Sequence, residues 1–279
     1  MKDFTKELPD HKEKYIGEND LFLEIFEGES LMEVSNQKPP LLFVHGAYTG
    51  SWMWSKYIPH FISTGWNCYS MNLRSHYKSR LLDMTKITFE DYLEDIKEVI
   101  AECGVPPIII GFSMGGILSQ KLAESVEIAG LVLIDSVISK EVHEAVPYKE
   151  LVQMTPGLIV PAPAREEISS IDESADDIEF QKKYLTMEAS KAFKAFVFST
   201  ESQGISIDSS LISCPCLVIK AVNCDDDDRR GRVTAEHLRA EYKALWKTTH
   251  TGVLIGQKYK ESVETIMDWL KVAGVGSPS

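Results

Sequence analysis

The chain has 279 residues, of which 44% are hydrophobic and 25% charged, a balance typical of one large globular domain or of a domain with an inserted lobe. Its formal net charge of −13 argues against a general nucleic-acid binder or a protein of anionic membranes, because phosphate groups attract Lys and Arg. The five cysteines are odd in number and scattered, which predicts free thiols in a reducing compartment.

The N-terminal residues lack the apolar segment of a signal peptide, and no run of about 18 apolar residues occurs in the sequence. We therefore expect a soluble, cytoplasmic protein with no membrane span and no nucleic-acid partner.

The first strands are predicted near the N-terminus. Residues 1–20 are polar and predict an irregular arm, whereas Leu21–Phe26 and 31–34 predict two strands joined by a turn. The continuous apolar run Leu41–Val44 is typical of a strand buried on both faces of a sheet. A helix is predicted over 51–63 and another strand over 67–72.

The next segment alternates helices and strands. Thr88 predicts the N-cap of a helix that ends at Gly104, a residue typical of the position after a helix. Three isoleucines at 108–110 predict a strand, 117–125 a helix, and 128–134 another buried strand. This alternation predicts βαβ units in a mainly parallel sheet, and the tight connection between the first two strands predicts an antiparallel edge.

The alternation stops after 138 and resumes near 212. Helices are predicted over 141–153 and 180–199, and we expect residues 139–210 to form a helical lid inserted after strand six. Residues 1–138 and 211–279 would form the core. The interval also contains an acidic patch, which we expect to be a solvated face rather than a metal site: Glu166, Glu167, Asp172, Glu173, Asp176, Asp177 and Glu179. The apolar residues of the predicted lid favour a substrate with an apolar acyl or aromatic group: Met154, Leu158, Met187, Phe193, Phe196 and Phe198.

Beyond the predicted lid, 215–222 predicts a strand, and Thr234 predicts the N-cap of a helix over 235–242. A short strand at 244–247 and an amphipathic helix at 260–272 follow. The predicted fold is an α/β fold with a mainly parallel eight-stranded sheet flanked by helices.

One segment, Gly111-Phe-Ser-Met-Gly-Gly116, has the pattern of a nucleophile elbow between a strand and a helix. Glycines on both sides of Ser113 allow a sharp turn and a close contact of strand with helix. The serine would lie beside a helix N-terminus, whose dipole favours developing negative charge. We interpret Ser113 as a nucleophile.

A serine nucleophile requires a base that accepts its proton and an acid that orients that base. His250 follows the last predicted strand, whereas His143 and His237 lie in predicted helices. We therefore predict that His250 is the base.

The acid is expected after the strand that ends near Val222, where four aspartates follow one another at 225–228. Counting from the strand favours Asp225 or Asp226, and counting back from the Thr234 cap favours Asp228. We predict Asp225. A less favoured alternative is Asp135, at the end of the preceding strand.

An oxyanion intermediate requires backbone N–H donors. The first is expected from Met114, directly after the nucleophile, and the second from Ala47, with Tyr48 next in preference. His45 is expected to orient the loop that contains Ala47. We expect Tyr48 and Phe112 to contact the substrate, and we expect neither a metal nor a cofactor.

These motifs together resemble the α/β-hydrolase superfamily over nearly the whole chain, including its order of Ser, Asp and His. The segment 45–54 is similar to the esterase and hydroxynitrile-lyase-like branch, and monoacylglycerol-lipase-like enzymes are also similar. The sequence departs from the family pattern at Phe112, where many members have His, at 73–77, and at Cys224, where the acid usually lies.

The resemblance implies a serine hydrolase that cleaves a carboxylic ester, thioester or lactone of a small molecule through an acyl-enzyme on Ser113. A serine at this position argues against dehalogenase and epoxide-hydrolase chemistry, which uses a carboxylate nucleophile in this fold. The alternatives are lyase, C–C hydrolase or perhydrolase chemistry, and a ligand-binding protein without catalytic activity.

Overall fold

Ten strands can be assigned in the computed structural model of the chain, which describes residues 2–29, 38–153, 157, 159–166 and 170–273. In chain order they are β1 Lys12–Ile16, β2 Leu21–Phe26, β3 Leu41–Val44, β4 Cys68–Met71, β5 Ile108–Phe112, β6 Gly130–Ile134, β7 Ile159–Val160, β8 Glu188–Ala189, β9 Cys216–Val222 and β10 Glu241–Trp246. Eight of them form one sheet in the order β1-β2-β4-β3-β5-β6-β9-β10, and β7 pairs with β8 separately.

The large sheet is antiparallel only at its β1 edge. β2 runs antiparallel to both β1 and β4, and every later pair across the sheet is parallel. This confirms the predicted eight-stranded, mainly parallel sheet. Its parallel strands end at a common edge, where the loops that follow β3, β5, β6 and β10 meet.

The prediction of an irregular N-terminal arm was wrong for Lys12–Ile16, which form β1. This edge strand is exposed along most of its length, so its sequence carries no apolar alternation that would indicate a strand. The second predicted strand, at 31–34, lies outside the described residues.

The described residues include eight α-helices. They are α1 Ile58–Ile62, α2 Phe89–Cys103, α3 Met114–Ala123, α4 Lys140–Ala145, α5 Ala175–Tyr184, α6 Ser190–Phe196, α7 Asp225–Leu238 and α8 Tyr259–Val272. One buried cluster joins α2, α3 and α7 to one face of the sheet, and a second joins α1 and α8 to the other face. The two clusters bury the central strands on both sides.

Helix α2 matches its prediction at both ends. Thr88 accepts a hydrogen bond from the Asp91 N–H, and Asp91 accepts one from the Thr88 N–H, which completes a capping box. Gly104 follows the helix with a φ of 72°, a conformation that glycine adopts without strain.

Two other helix predictions were wrong. The predicted helix over 51–63 is divided into a 3₁₀ turn, Ser51–Trp54, and the short α1. The helix predicted over 235–242 begins ten residues earlier as α7, and β10 begins already at Glu241. Four aspartates in the first turn of α7 favour a helix N-terminus there, because their charges complement the helix dipole. Thr234 lies inside the helix, where its hydroxyl donates to the Arg230 carbonyl.

The segment between β6 and β9, residues 139–210 with the gaps given above, is called the insertion below. It contains α4, α5, α6 and the β7–β8 pair. The two predicted helices were too long: only α4 forms within 141–153, and β8 and a turn separate α5 from α6. No helix in the described part of the chain is long and apolar enough to cross a membrane.

The predicted solvated face of the insertion is only partly exposed. Glu166, Asp176 and Glu179 face solvent, but Asp172, Glu173 and Asp177 are buried, and Glu167 lies outside the described residues. The apolar residues also divide: Phe196 and Phe198 are buried, Met187 is exposed, and Met154 and Leu158 lie outside the described residues. The buried carboxylates need hydrogen-bonding partners, and these lie in the loops at the carboxyl edge of the sheet.

Candidate active site

Ser113 lies at the turn between β5 and α3, in a strained backbone conformation with φ 53° and ψ −117°. The turn depends on close backbone contacts. A Cβ on Gly115 would lie 2.3 Å from the Val44 carbonyl oxygen, and one on Gly111 would lie 2.6 Å from the Gly115 carbonyl oxygen. The spacing of glycines around the serine therefore allows β3, β5 and α3 to meet, and it presents the hydroxyl at the sheet edge.

His250 lies in the loop after β10 and contacts Ser113. Its Nε2 is 2.9 Å from the Ser113 Oγ, and its Nδ1 is 2.5 Å from the Asp135 Oδ2. The imidazole is 51% exposed, whereas the Asp135 side chain beneath it is 6% exposed. The three side chains form a continuous chain of hydrogen bonds from a buried carboxylate to an accessible serine.

The other downstream histidines lie elsewhere, as predicted. His143 is in α4, where its ring stacks on Phe198 with the centroids 4.0 Å apart, and His237 is in α7. The hydroxyl of Ser113 is hydrogen-bonded to His250.

The structure places Asp135, not Asp225, against His250. Asp225 is an exposed residue in the first turn of α7. Both ring nitrogens of His250 already have partners in Ser113 and Asp135, so no position remains for a second carboxylate. The alternatives are engaged as well, because Asp226 pairs with Lys149 and Asp228 accepts from Tyr242 and Arg232.

Asp135 directly follows β6 and has a φ of 40°, in the left-handed region. Its N–H donates to the Ile219 carbonyl at 2.7 Å, and its Oδ1 accepts the Ala221 N–H at 3.3 Å. These bonds to β9 fix the residue at the junction of two strands, with Oδ2 directed to His250. The candidate acid therefore follows β6, the neighbour of β9 in the sheet, whereas the prediction placed it after β9.

Lys220 is a functional candidate that sequence reasoning missed. It stands in the otherwise apolar strand β9, and its ammonium donates to the Oδ1 of Asp135. Burial would raise the pKa of Asp135, but the Lys220 charge and then His250 outweigh burial and hold that pKa well below its ordinary value. Burial alone would lower the pKa of Lys220, and Asp135 raises it instead. A lysine within a buried strand was the available signal, because such a charge requires a carboxylate partner.

The loop after β3 lies against Ser113. A Cβ on Gly46 would be 3.0 Å from the Ser113 Cβ, so the two turns are in contact. Met114 is the first residue of α3, and its N–H therefore has no acceptor within the helix. The Tyr48 N–H donates to the Glu188 carboxylate at 3.3 Å and is engaged. Of the two donors predicted in this loop, Ala47 therefore stays the candidate.

His45 is fully buried and fixes the loop, as expected. Its Nδ1 is 2.8 Å from the Gly46 carbonyl oxygen, and its Nε2 is 3.1 Å from the Leu73 nitrogen, from which it accepts a hydrogen bond. Burial lowers the pKa of His45 to about 3, and the charge of His76 adds to this effect. The neutral ring therefore ties the β3 loop to the β4 loop.

The two residues expected to contact substrate have different surroundings. Phe112 is 2% exposed and stacks on the His250 ring with the centroids 4.7 Å apart. Its observed ring contact is with the candidate base, and the substrate contact of Phe112 stays a prediction. Tyr48 is partly exposed and its ring lies 5.7 Å from that of Phe193, so the substrate contact of Tyr48 remains a prediction.

Two buried carboxylates of the insertion hold the loop that carries His250. Asp172 accepts hydrogen bonds from the hydroxyls of Thr248 and Thr249 and from the Thr249 N–H. Glu173 accepts from the Thr251 hydroxyl at 2.7 Å and shares the Thr249 hydroxyl with Asp172, at 2.8 Å. Hydrogen bonds to charged groups stabilise more than neutral ones, so these contacts fix the position of the imidazole.

We expect the Asp172→Ala variant to lose about 2–4 kcal/mol of unfolding free energy, because three donors of the His250 loop lose a charged acceptor. Its kcat should fall roughly tenfold, since a small displacement of a catalytic group is costly. Urea unfolding and steady-state kinetics measure both. Glu179→Ala, on the exposed face of α5, is the control and should leave the unfolding midpoint unchanged.

One group in the described part of the chain could hold a metal ion: His11, Glu13 and Glu24, whose ligand atoms lie within 4.8 Å of one another. It lies at the β1–β2 edge of the sheet, whereas Ser113 follows the central strand β5. Lys78 also donates to Glu13 at 2.8 Å and occupies one of the carboxylates. The group is not part of the site around Ser113.

A family model described as the α/β hydrolase fold matches residues 39–158 of the chain. A comparison with curated proteins finds no match. Similar solved structures include one of the carboxylesterases of the Thaumarchaeon Nitrososphaera gargenis, with 18% identity, a TM-score of 0.65, and coverage of 94% of this chain and 98% of that chain.

Two further structures are similar. The monoacylglycerol lipase of Paleococcus ferrophilus has 17% identity and a TM-score of 0.67, and the match covers 91% of this chain and 99% of that one. Tomato methylketone synthase I, complexed with 2-tridecanone, has 17% identity and a TM-score of 0.64, with coverage of 85% and 99%. At these identities the likeness concerns the fold. The sheet order, the family model and these likenesses show that the chain has the α/β-hydrolase fold.

Proposed function

We propose that the protein is a serine hydrolase that cleaves carboxylic esters of small molecules, with thioesters and lactones as related substrates. The observation that carries the proposal is the hydrogen-bonded chain in which His250 contacts Ser113 through Nε2 and Asp135 through Nδ1. This is the arrangement in which a histidine can accept a proton from serine while a carboxylate stabilises the resulting charge. Ester-cleaving neighbours with the same fold support this proposal.

In the first half of the reaction, the Ser113 Oγ attacks the ester carbonyl carbon while His250 Nε2 takes the hydroxyl proton. The carbonyl π electrons move to the oxygen and form a tetrahedral oxyanion. When the oxyanion collapses, the bond to the alcohol oxygen breaks, and His250 returns the proton to the leaving alkoxide. Ser113 is left acylated.

In the second half, a water molecule attacks the acyl carbon and gives its proton to His250 Nε2. The second tetrahedral intermediate expels the Ser113 oxygen, which takes the proton back, and the free acid leaves. Asp135 remains ionised throughout and holds the imidazole in one orientation. The low pKa of Asp135, caused by Lys220 and His250, is suited to this role.

The N–H groups of Ala47 and Met114 are proposed to stabilise the oxyanion. Each such donor contributes roughly 3–4 kcal/mol to transition-state binding. Met114 offers its group at the N-terminus of α3, where the helix dipole adds to the field. Ala47 offers its group from a loop that is held by His45 and Glu188 on either side.

The insertion is proposed to act as the substrate-selecting lid of a core made of residues 1–138 and 211–279. Phe193 lies beside the Tyr48 ring, and Met187 is exposed next to the segment that contacts Tyr48. These side chains favour an apolar acyl group near Ser113. The exposed His250 leaves the site reachable from solvent.

An alkyl fluorophosphonate probe tests the proposal, because it reacts only with an activated serine. We expect stoichiometric labelling of the wild-type protein at Ser113, loss of labelling in Ser113→Ala and strong slowing in His250→Ala. Ser125→Ala, at an exposed site after α3, should label as the wild type does. An unlabelled wild-type protein, or equal labelling of Ser113→Ala, would refute the hydrolase assignment.

A further inference from the structure

Glu188 of β8 has no exposed surface and four hydrogen-bond donors around its carboxylate. His76 Nε2 lies 3.0 Å from Oε2, and the Tyr92 hydroxyl lies 2.5 Å from Oε1. The Tyr48 N–H donates to Oε2 at 3.3 Å, and the N–H of Ala189 donates to Oε1 at 2.8 Å. The carboxylate thus joins the insertion to the loops after β3 and β4 and to helix α2.

The Tyr48 backbone is held by the insertion on both sides. Its N–H donates to Glu188, and its carbonyl oxygen accepts from the Thr186 N–H at 2.9 Å. Tyr48 has a φ of 66°, which costs a non-glycine residue of order 1 kcal/mol and persists only where surrounding contacts hold it. The contacts that hold this conformation come from Thr186 and Glu188.

A buried carboxylate needs a compensating charge, and His76 supplies it. The His76 Nδ1 faces the Arg74 carbonyl oxygen at 3.0 Å while its Nε2 faces Glu188, so both nitrogens face acceptors. Two acceptors require two N–H groups, which makes the ring an imidazolium. Burial would lower the pKa of His76, but the Glu188 charge raises it, and His76 in turn holds the pKa of Glu188 below its ordinary value.

We propose that Glu188 is a positioning residue for the oxyanion loop. By holding the Tyr48 N–H it orients the preceding residue, so that the Ala47 N–H faces the reacting carbonyl oxygen at Ser113. This inference rests on the proposed function. Glu188 engages the Tyr48 N–H, and so it leaves Ala47 as the donor of this loop. The insertion therefore completes the oxyanion site as well as covering part of the core.

The main test is Glu188→Gln, which keeps the size and one acceptor oxygen but removes the charge paired with His76. We expect kcat for p-nitrophenyl butyrate to fall roughly 10- to 100-fold, because a misplaced oxyanion donor loses part of its stabilisation. The KM should stay within about threefold, because the uniform binding of the substrate is unchanged. The affinity for an alkyl trifluoromethyl ketone, whose adduct with serine carries an oxyanion, should fall in parallel with kcat.

The matched control is Glu141→Gln. Glu141 is another carboxylate of the insertion, and it accepts a hydrogen bond from the Ile207 N–H at 3.1 Å. The Glu141→Gln variant should keep the wild-type kcat and ketone affinity. Tyr92→Phe removes one donor from Glu188 without changing the ring, and we expect a two- to fivefold loss of ketone affinity. This second variant decides the matter if Glu188→Gln does not fold.

The outcomes separate the two claims. If the wild-type protein hydrolyses the ester but Glu188→Gln keeps its kcat and its ketone affinity, the positioning role is wrong and the hydrolase assignment stands. The same holds if KM rises in Glu188→Gln while kcat is constant. If Glu188→Gln does not fold, a wild-type ketone affinity in Tyr92→Phe leads to the same conclusion. A wild-type protein that neither hydrolyses esters nor reacts with fluorophosphonate refutes the proposed function itself.

Discussion

Replacing Asp135 with Asn should lower kcat for a p-nitrophenyl ester by roughly 10⁴-fold, with KM little changed, because the imidazole loses the acceptor that sets its tautomer and stabilises its positive charge. The His250 Nδ1 bonds directly to the Asp135 carboxylate in the structure. An amide at this position can donate its NH₂ group to the His250 Nδ1. The ring hydrogen then lies on Nε2, which can no longer accept the proton of Ser113.

The matched control is Asp225→Asn, which makes the same chemical change at the position favoured by the sequence. Asp225 is exposed in the first turn of α7, so the kcat of Asp225→Asn should stay within twofold of the wild-type value. The kinetics of the two variants, with circular dichroism to verify folding, distinguish the two candidate acids. Equal activity of Asp135→Asn and wild type, or a large loss in Asp225→Asn, would reverse the assignment.

Replacing Lys220 with Met should move the acid limb of the kcat/KM profile to higher pH by about one unit, because the positive charge beside the Asp135–His250 pair disappears. Without the ammonium the pKa of Asp135 rises, so the carboxylate that holds His250 is protonated, and activity is lost, at a higher pH. At alkaline pH the variant should retain kcat within a few-fold, since the chain from Asp135 to Ser113 is intact.

The same variant should lose about 3–5 kcal/mol of stability at neutral pH, because Asp135 stays buried without its cation. A carboxyl whose pKa is lowered by folding contributes stability above its unfolded pKa and loses it as pH falls through the folded value. Without Lys220 the pKa of Asp135 rises, so this contribution becomes smaller and is lost at a higher pH.

The control is Lys243→Met on the neighbouring strand β10, where the ammonium pairs with Glu261 at a half-exposed site. It should leave the pH profile unchanged. Measurements of kcat/KM from pH 5 to 10 and urea unfolding at pH 7 test both expectations. An acid limb that stays in place in Lys220→Met would show that the lysine is only structural.

The nucleophile and the base could be predicted because their signals are local. Ser113 stands between two glycines at a strand–helix junction, and His250 is the downstream histidine outside helices. The acid could not be predicted in the same way. Its identity depends on which of two strand ends faces His250, and the run of aspartates at 225–228 gave α7 its N-terminus instead. Lys220 was the overlooked indication, since a charged residue in a buried strand implies a buried partner.

The contacts of the insertion were beyond sequence reasoning for another reason. Glu188 meets Tyr48 and His76 across 140 and 112 residues, and Asp172 meets Thr248 across 76. Hydrophobic periodicity reports on nearest neighbours in a helix or strand, and it carries no information on such pairs. The sequence therefore predicts a solvated acidic patch, although half of its described members are buried.

The two attachment points of the insertion have a consequence for changing the range of molecules that the protein accepts. Asp172 is bonded to the loop of the candidate base, and Glu188 to the loop of the candidate oxyanion donor. A chimera that exchanges residues 139–210 for the corresponding segment of a relative must keep a carboxylate at both places. Without these carboxylates we expect the chimera to have a new substrate pocket but a low kcat. A change of substrate range in this chain therefore requires that both contacts of the exchanged segment are kept.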